Sequence, residues 1–457
     1  MADRPLHVAV VGSGPAGFYA AGALLASEEP PVEVDMIERL PTPWGLVRLG
    51  VAPDHPKIKE VSRAFEKIAA RPGFRFLGNV ELGRDLTPED LSRLYDAVVY
   101  AVGAQTDRHL GIPGEDLPGS WPATAFVAWY NGHPDFQELS FDLSGERAVV
   151  IGNGNVAVDV ARMLALTEEE LAPTDTTDAG IEAIVDSGIR EIVMLGRRGP
   201  VQASFTTPEL IELAELAGAD VVVDPAELDL DAASAAELEA GTPIQKRNLD
   251  VLRGFAERAP SGKAKTLRLR FRVSPVAILG DGRVEAVEVV RNELVPDGRG
   301  SVRAVATDDR EVIPCGLVLR SVGYRGVELP GVPFDAERAT IRNEGGRVLD
   351  EQGAQVPGVY CAGWIKRGPT GVIGTNKKDA TETIELLLDD ARSGRLPRAA
   401  DSTPEAVDAL LAERGAEAVM YSGWELIDKL ECELGAPHGR PRIKLSRWDE
   451  LLKAARG

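Results

Sequence analysis

The chain has 457 residues, 44% of them hydrophobic and 27% charged, with a formal net charge of -21 at pH 7. That length exceeds what one core supports, so at least two domains are expected, and the acidic balance excludes nucleic acid and anionic membrane as general partners. No apolar run approaches the roughly 20 residues of a membrane helix, and residues 1–6 lack the charged and apolar regions of a signal peptide, which predicts a cytoplasmic protein without membrane insertion. Cys315, Cys361 and Cys432 form no C-x-x-C, so neither a local redox dithiol nor a zinc site is expected, and no other metal.

The first element is an apolar strand at residues 8–11, VAVV, of the kind buried on both faces of a parallel sheet. Gly12, Gly14 and Gly17 follow as G-x-G-x-x-G and lead into a helix. In that pattern Gly12 makes the tight turn, Gly14 admits a pyrophosphate to the backbone and Gly17 lets the helix lie close on the strand, while the helix amides face the phosphates. A second strand at residues 32–37, VEVDMI, ends at Glu38, where a carboxylate accepts hydrogen bonds from ribose hydroxyls; the plainer alternative is a solvated glutamate after an ordinary glycine turn. A long loop rich in proline and glycine then runs into an amphipathic helix over residues 57–70, and loops of this length tend to carry function. Strands at residues 75–79 and 96–102 complete the first domain, the latter closing on Gly103 and Ala104.

Residues 111–142, rich in proline, glycine and aromatics, read as an irregular crossing. The opening pattern then recurs: a strand at 148–151 leads into Gly152, Asn153, Gly154, Asn155, Val156 and Ala157, a G-x-G-x-x-A with Ala157 at the packing position. Two such turns imply two dinucleotides, or one dinucleotide and a duplication that has lost its ligand. After a helical insertion over 167–187, the strand EIVMLGRRG at residues 191–199 carries Arg197 and Arg198 where the first unit carries its acid. Paired guanidiniums suit the 2′-phosphate of NADP(H) through bidentate contacts, unless they are two solvated surface arginines. Helices after Pro208 and over 245–258 precede three stretches, 267–280, 283–294 and 310–323, whose alternation predicts antiparallel strands, the last returning the chain at Gly323. Residues 358–391 add a short strand at 359–362 and a helix from about Thr375. In two-dinucleotide flavoproteins such a helix N-terminus lies beneath the flavin ring, with Trp364 either against it or in the core. The tail 403–457 reads as helical, with a basic loop before its last helix.

The strings PWGLVRLGVAPDHP, LGRRGPVQASFTTPEL and KRGPTGVIGTNKKDA, with both glycine turns, closely resemble the adrenodoxin reductase-like ferredoxin:NADP+ reductases of bacterial FprA type, and the likeness spans nearly the whole chain. The resemblance implies an α/β fold of two Rossmann-like domains in a glutathione-reductase-like arrangement. FAD would lie in a discontinuous domain, residues 1–106 and 326–457, and NADP(H) in an inserted one, residues 107–325. On matching positions it implies FAD contacts at Gly14, Ala16, Glu38, Leu46, Val80, Trp364, Gly371, Val372 and Ile373, beside the turn glycines Gly12 and Gly17. It likewise implies NADP(H) contacts at Arg108, Asn153, Gly154, Asn155, Val156, Arg197, Arg198, Glu209 and Gly371, and it places His55 beside the flavin. His55 and Glu209 are then the candidates for adjusting protonation or nicotinamide placement.

The activity so implied is hydride transfer from NADPH to FAD, followed by single-electron transfer to a small acidic ferredoxin that serves ferredoxin-dependent oxidoreductases. Since the chain is itself acidic, docking needs a local basic face on what is expected to be a monomer or weak dimer. Arg48, Lys57, Lys59, Lys366, Arg367, Lys377, Lys378, Arg440, Arg442 and Lys444 are its candidates. A disulfide reductase lacks its cysteine pair here, and the reductase subunit of glutamate synthase lacks its cysteine-rich cluster segments. A flavin-dependent monooxygenase and a non-catalytic flavin sensor would use the same binding features; an oxygenated flavin on rapid mixing marks the first, absence of turnover the second.

Overall fold

The computed structural model describes residues 4–298 and 301–457, so the first three residues of the N-terminal tail lie outside the described residues. The chain divides into two compact units, one of Met1–Thr106, Gly323–Pro437 and Leu445–Gly457, the other of Asp107–Val322 and His438–Lys444. The boundary expected after residue 325 lies at Gly323 instead, and His438–Lys444 leaves the C-terminal part for the second unit. Arg440 donates there to the carbonyl oxygens of Thr174 and Thr176, and Lys444 pairs with Asp175 at 3.1 Å.

In the first unit a seven-stranded sheet runs in the order Asn343–Glu344, Arg347–Leu349, Gln355–Cys361, Ala97–Tyr100, Leu6–Val11, Val32–Ile37, Phe74–Leu77. The last five strands are parallel and the first two form an antiparallel edge. Leu6–Val11 is buried at every residue: Val8 and Val10 enter one core with Phe18, Ala380 and Ile384, while Ala9 and Val11 enter the opposite one with Val98 and Tyr100. A strand covered on both faces needs no polar alternation, which is why its sequence has none. The helix expected over 57–70 is broken into Pro56–Lys59 and Ser62–Ala69, and the second sends Phe65 into the core, stacked on Phe18 at 4.8 Å. The strand expected to reach residue 79 stops at Leu77, and Asn79 turns the chain with φ of +57°.

The second unit holds a six-stranded, wholly parallel sheet in the order Ser120–Pro122, Leu317–Arg320, Arg147–Ile151, Glu191–Gly196, Lys265–Phe271, Ala219–Val223. In this unit Val273–Leu279, Ala286–Pro296 and Val302–Pro314 form a separate antiparallel sheet. The stretch 267–280, expected to be one antiparallel strand, is therefore split. Leu267 and Leu269 are buried, Arg268 and Arg270 alternate with them because Glu191 and Glu227 neutralise each at 2.9 Å, and Arg272 bends the chain with φ of +57°. Residues 317–320 end an alternating stretch but run to Gly323 as residues 97–100 run to Gly103, and like them they pair in parallel with the strand that feeds the glycine turn. Residues 111–142 are not irregular: they contain Ser120–Pro122 and the helix Ala123–Tyr130, buried at every residue but Thr124. A helix that is apolar all round offers no period to read. The insertion over 167–187 consists of two helices, Glu168–Leu171 and Asp178–Val185, with a loop between.

In each parallel sheet the strand feeding the glycine turn lies between the strand that ends at Glu38 or Arg197 and a strand from late in that unit's first pass or return. Among the described residues, no helix is long and apolar enough to cross a membrane.

Candidate dinucleotide-binding sites

Both glycine turns lie at the carboxyl ends of parallel strands, where open α/β sheets bind ligands. In the first unit a Cβ on Gly12 would stand 2.6 Å from the carbonyl oxygen of Ala101, and one on Gly17 would stand 2.0 Å from that of Gly12, so neither position admits a side chain. A Cβ on Gly14 would meet nothing within 4 Å. The helix that follows, Pro15–Leu24, has no side-chain cap, whereas Thr87, Thr242 and Thr403 cap theirs. Uncapped amides beneath open space fit the pyrophosphate of a dinucleotide.

The remaining residues assigned to FAD gather on this turn. Glu38 Oε2 accepts from the amide of Ser13 at 3.0 Å and from its hydroxyl at 2.6 Å, and Oε1 accepts from the amide of Leu40 at 3.0 Å. The carboxylate thus locks the second strand to the turn, and each oxygen keeps lone-pair capacity for a ribose hydroxyl. Val80 donates its amide to the carbonyl of Glu38 at 3.0 Å. The Trp44 amide donates to the carbonyl of Ser13 at 3.0 Å, and a Cβ on Gly45 would stand 3.0 Å from Cα of Gly14, which sets Leu46 beside the turn. From the returning chain, Gly363 packs so closely on the first helix that a Cβ would stand 2.5 Å from that of Ala16.

Trp364 follows directly and is half-buried rather than in the core: its Nε1 donates to the carbonyl of Thr370 at 3.2 Å, and its ring lies 5.3 Å from that of Tyr324. Gly371 takes φ of +79°, Val372 is 60% exposed, and Ile373 begins the helix Ile373–Arg392, two residues before the expected start at Thr375. His55 is buried where the short helix Pro56–Lys59 begins. Ser13, Trp44, Gly45 and Gly363 also pack on or bond to this turn and its helix, and sequence reading assigned none of them a role there. Ser13 occupies a free position of the glycine motif, and the need for glycine at 363 exists only once the sheet brings it to Ala16.

The second unit repeats the geometry. A Cβ on Gly152 would stand 2.2 Å from the carbonyl oxygen of Ser321, while one on Gly154 would meet only the Cβ of Ser204, at 3.9 Å. The helix Asn155–Ala165 again has no side-chain cap, and Ala157 is buried in the packing position. The carbonyl of Asn153 accepts from the Ser204 amide at 3.0 Å, and Asn155 exchanges two hydrogen bonds with Thr206, at 2.8 and 3.4 Å. The loop 203–206 is thereby pinned beside the turn, next to half-buried Val156. It leads into Thr207–Glu212, which carries buried Glu209. Glu209 hydrogen-bonds Asp159; removal from water pushes the Asp159 carboxyl well above the usual range, and the charge of Glu209 pushes the same way.

Arg197 is exposed and Arg198 half-buried. Asn292 donates to the carbonyl of Arg197 at 2.8 Å and the Arg272 amide to that of Arg198 at 2.9 Å, while neither guanidinium meets a carboxylate among the described residues. Arg108 is exposed at the start of the unit.

The basic face expected from ten residues does not form as a whole. Arg48 is buried on Glu431, Lys444 is buried against Asp175, and Arg440 is held by Asp178 and the two threonine carbonyls. Lys366 and Arg367 lie 3.1 and 3.4 Å from Asp379, whose other duty is to accept from the Gly363 amide. Lys59 and Arg442 are half-buried, which leaves Lys57, Lys377 and Lys378 exposed, all in the first unit.

The family profile Pyridine nucleotide-disulphide oxidoreductase matches residues 6–194. The chain is 52% identical, over 99% of its length, to the NADPH-ferredoxin reductase FprA of Mycobacterium tuberculosis, of which it covers 100%. It is 44% identical, again over 99% of its length, to human mitochondrial NADPH:adrenodoxin oxidoreductase, of which it covers 92%. The structure of M. tuberculosis FprA in complex with NADPH matches with a TM-score of 0.93 at 52% identity, covering 99% of this chain and 100% of that one.

Proposed function

The chain belongs to the FprA family of NADPH-ferredoxin reductases, and from that membership we propose that it is an NADPH-dependent flavoprotein that takes a hydride from NADPH onto FAD and hands the electrons singly to a ferredoxin-type iron–sulfur protein. The observation that carries the reading is the contrast between two turns of like geometry, one followed by a strand ending in Glu38 and the other by a strand ending in Arg197 and Arg198. A carboxylate favours a free ribose hydroxyl and repels a 2′-phosphate; guanidiniums without a carboxylate partner do the reverse. The first turn therefore takes FAD and the second NADP(H). The arrangement is glutathione-reductase-like, with the NADP(H) unit inserted into the FAD unit, as the return of the chain at Gly323 into the sheet that began at Leu6 supports.

When bound, FAD supplies the exchange between a two-electron donor and one-electron acceptors. The chain's own residues bind and orient. The amides beyond Gly14 face the pyrophosphate, and Glu38, already fixed by Ser13 and Leu40, accepts from the ribose. Leu46 and Val80 offer backbone from the loops tied to Ser13 and Glu38. Gly371, Val372 and Ile373 present the N-terminus of a 20-residue helix, whose dipole favours negative charge at that end, and Trp364, held by Thr370, bounds the same segment. In the second unit Asn153, Gly154, Asn155 and Val156 take the pyrophosphate of NADP(H), Arg197 and Arg198 the 2′-phosphate, and exposed Arg108 adds a further cation. His55 and Glu209 adjust protonation or nicotinamide placement, Glu209 from a position set by Asp159. The partner is a small acidic ferredoxin, met by exposed lysines including Lys57, Lys377 and Lys378.

Anaerobic titration of the purified yellow protein tests the reading. NADPH bleaches the flavin absorbance at lower concentration than NADH, and an oxidised ferredoxin added afterwards restores it. Protein that is colourless and stays so with FAD overturns it.

A further inference from the structure

The loop that carries Leu46 is held in place by a helix from the far end of the chain. Trp44 takes φ of +84°, which a bulky residue adopts only where its surroundings impose it. Its amide is fixed on the carbonyl of Ser13 at 3.0 Å, Gly45 beside it runs against Gly14, and its indole meets that of Trp424 edge-on at 4.9 Å. Trp424 belongs to the helix Tyr421–Gly435, which also presents Glu431, wholly buried. Glu431 accepts from both ends of the Arg48 fork, at 2.8 and 2.5 Å, and the Arg48 guanidinium lies over the Trp424 ring, 5.1 Å from its centroid. The amide of Leu445 donates to Glu431 at 2.9 Å, so the carboxylate is itself anchored. Arg48 stands in the one-turn helix Leu46–Leu49.

A buried ion pair adds little net stability, and apolar residues of the same volume often do as well or better. What a bidentate fork supplies is direction: it fixes the plane of the guanidinium and with it the turn that bears it. We propose that Arg48 and Glu431 are positioning residues. Joining the one-turn helix Leu46–Leu49 to the helix Tyr421–Gly435, they hold the strained turn of Trp44, Gly45 and Leu46 against the first glycine turn and so preset the backbone that meets FAD. The inference rests on the assignment of that turn to FAD.

The test compares wild type with Glu431→Gln and with the double replacement Arg48→Met, Glu431→Leu, which restores apolar packing without the fork. Each full-length protein is stripped of FAD and titrated with it, and the melting temperature of the apoprotein and the visible circular dichroism of the bound flavin are recorded. Glu431→Gln is expected to bind FAD ~10-fold more weakly, as loss of one arm of a charged hydrogen-bond pair implies. The double variant is expected to melt at or above the wild-type temperature while keeping the weakened binding and an altered flavin dichroism. Recovery of affinity and dichroism together with melting temperature would reduce the pair to a structural role and overturn the proposal. So would wild-type affinity in Glu431→Gln. If Glu431→Gln does not fold, Arg48→Lys, which keeps the charge and loses the fork, is read by the same criteria. Wild type that binds no FAD overturns the cofactor assignment and the clamp together, whereas wild type that binds with an unaffected Glu431→Gln overturns the clamp alone.

Discussion

Replacing Arg197 and Arg198 by alanine together is expected to abolish the preference for NADPH over NADH. A hydrogen bond to a charged group contributes about 1.5–3 kcal/mol, and an exposed ion pair about 1 kcal/mol or less. Arg197 is exposed and Arg198 half-buried, so about 1 kcal/mol is assigned to the first and about 2 kcal/mol to the second. Their sum of about 3 kcal/mol is roughly 150-fold in kcat/KM. Because the 2′-phosphate is remote from the transferred hydride, the loss falls on KM for NADPH with kcat little changed. Steady-state reduction of an artificial electron acceptor measures it, with both nucleotides and both proteins: kcat/KM for NADPH falls roughly 150-fold and that for NADH stays within about twofold. The melting temperature moves little, since these guanidiniums make no carboxylate contact among the described residues. An unchanged NADPH to NADH ratio would refute the assignment, and an equal fall with both nucleotides would point to local damage.

Gly14→Ala is expected to leave the apoprotein's melting temperature unchanged, because φ is -71° and the new methyl group meets nothing within 4 Å, yet to weaken FAD binding on the order of tenfold; tight binding would mean that the space above Gly14 is not used. Gly17→Ala drives its methyl to 2.0 Å from the carbonyl of Gly12 and is expected to destabilise the apoprotein itself by about 3 kcal/mol, read from urea midpoints. Burial alone would raise the Asp390 carboxyl, but hydrogen bonds from Arg347, Tyr360 and Arg395 outweigh it and hold the group well below the ordinary carboxylate range. Asp390→Asn should therefore cost about 3 kcal/mol at pH 7. A depressed folded pKa gives stability that is full above the unfolded value of about 4 and is lost as pH falls from there toward the depressed folded value, so the gap between variant and wild type narrows progressively below about pH 4; a gap independent of pH would contradict this. Reversing Lys377 and Lys378 to glutamate should lower kcat/KM for an acidic ferredoxin about fivefold at low salt, with the difference fading toward 0.5 M salt.

The two glycine turns were legible because the spacing Gly12, Gly14, Gly17 and its repeat Gly152, Gly154, Ala157 lies within one strand and one helix, although the space that Gly12 and Gly152 leave free is taken by the carbonyls of Ala101 and Ser321, at the ends of neighbouring strands. What the sequence did not disclose depends on which strands become neighbours. Ser13 takes its task from Glu38, and Gly363 from Ala16, across a sheet order that no local pattern encodes. Arg268 and Arg270 suggested a solvent face because their neutralising partners, Glu191 and Glu227, arrive from other strands and loops. The same blindness inflated the basic face: Arg48, Arg440 and Lys444 read as surface cations, while Glu431, Asp178 and Asp175 that hold them lie far away in sequence. Ala123–Tyr130 was invisible for the opposite reason, being too uniformly apolar to show a face.

The placement of His438–Lys444 bears on the order in which the protein is made. The rest of its unit has been synthesised by Val322, but the carbonyl oxygens of Thr174 and Thr176 receive Arg440, and Asp175 receives Lys444, only after Gly323–Pro437 of the first unit has been added. The middle of the polypeptide is thus finished by a segment made long after it, and a message truncated before codon 438 leaves the second unit without its closing strap even though every residue of its parallel sheet is present.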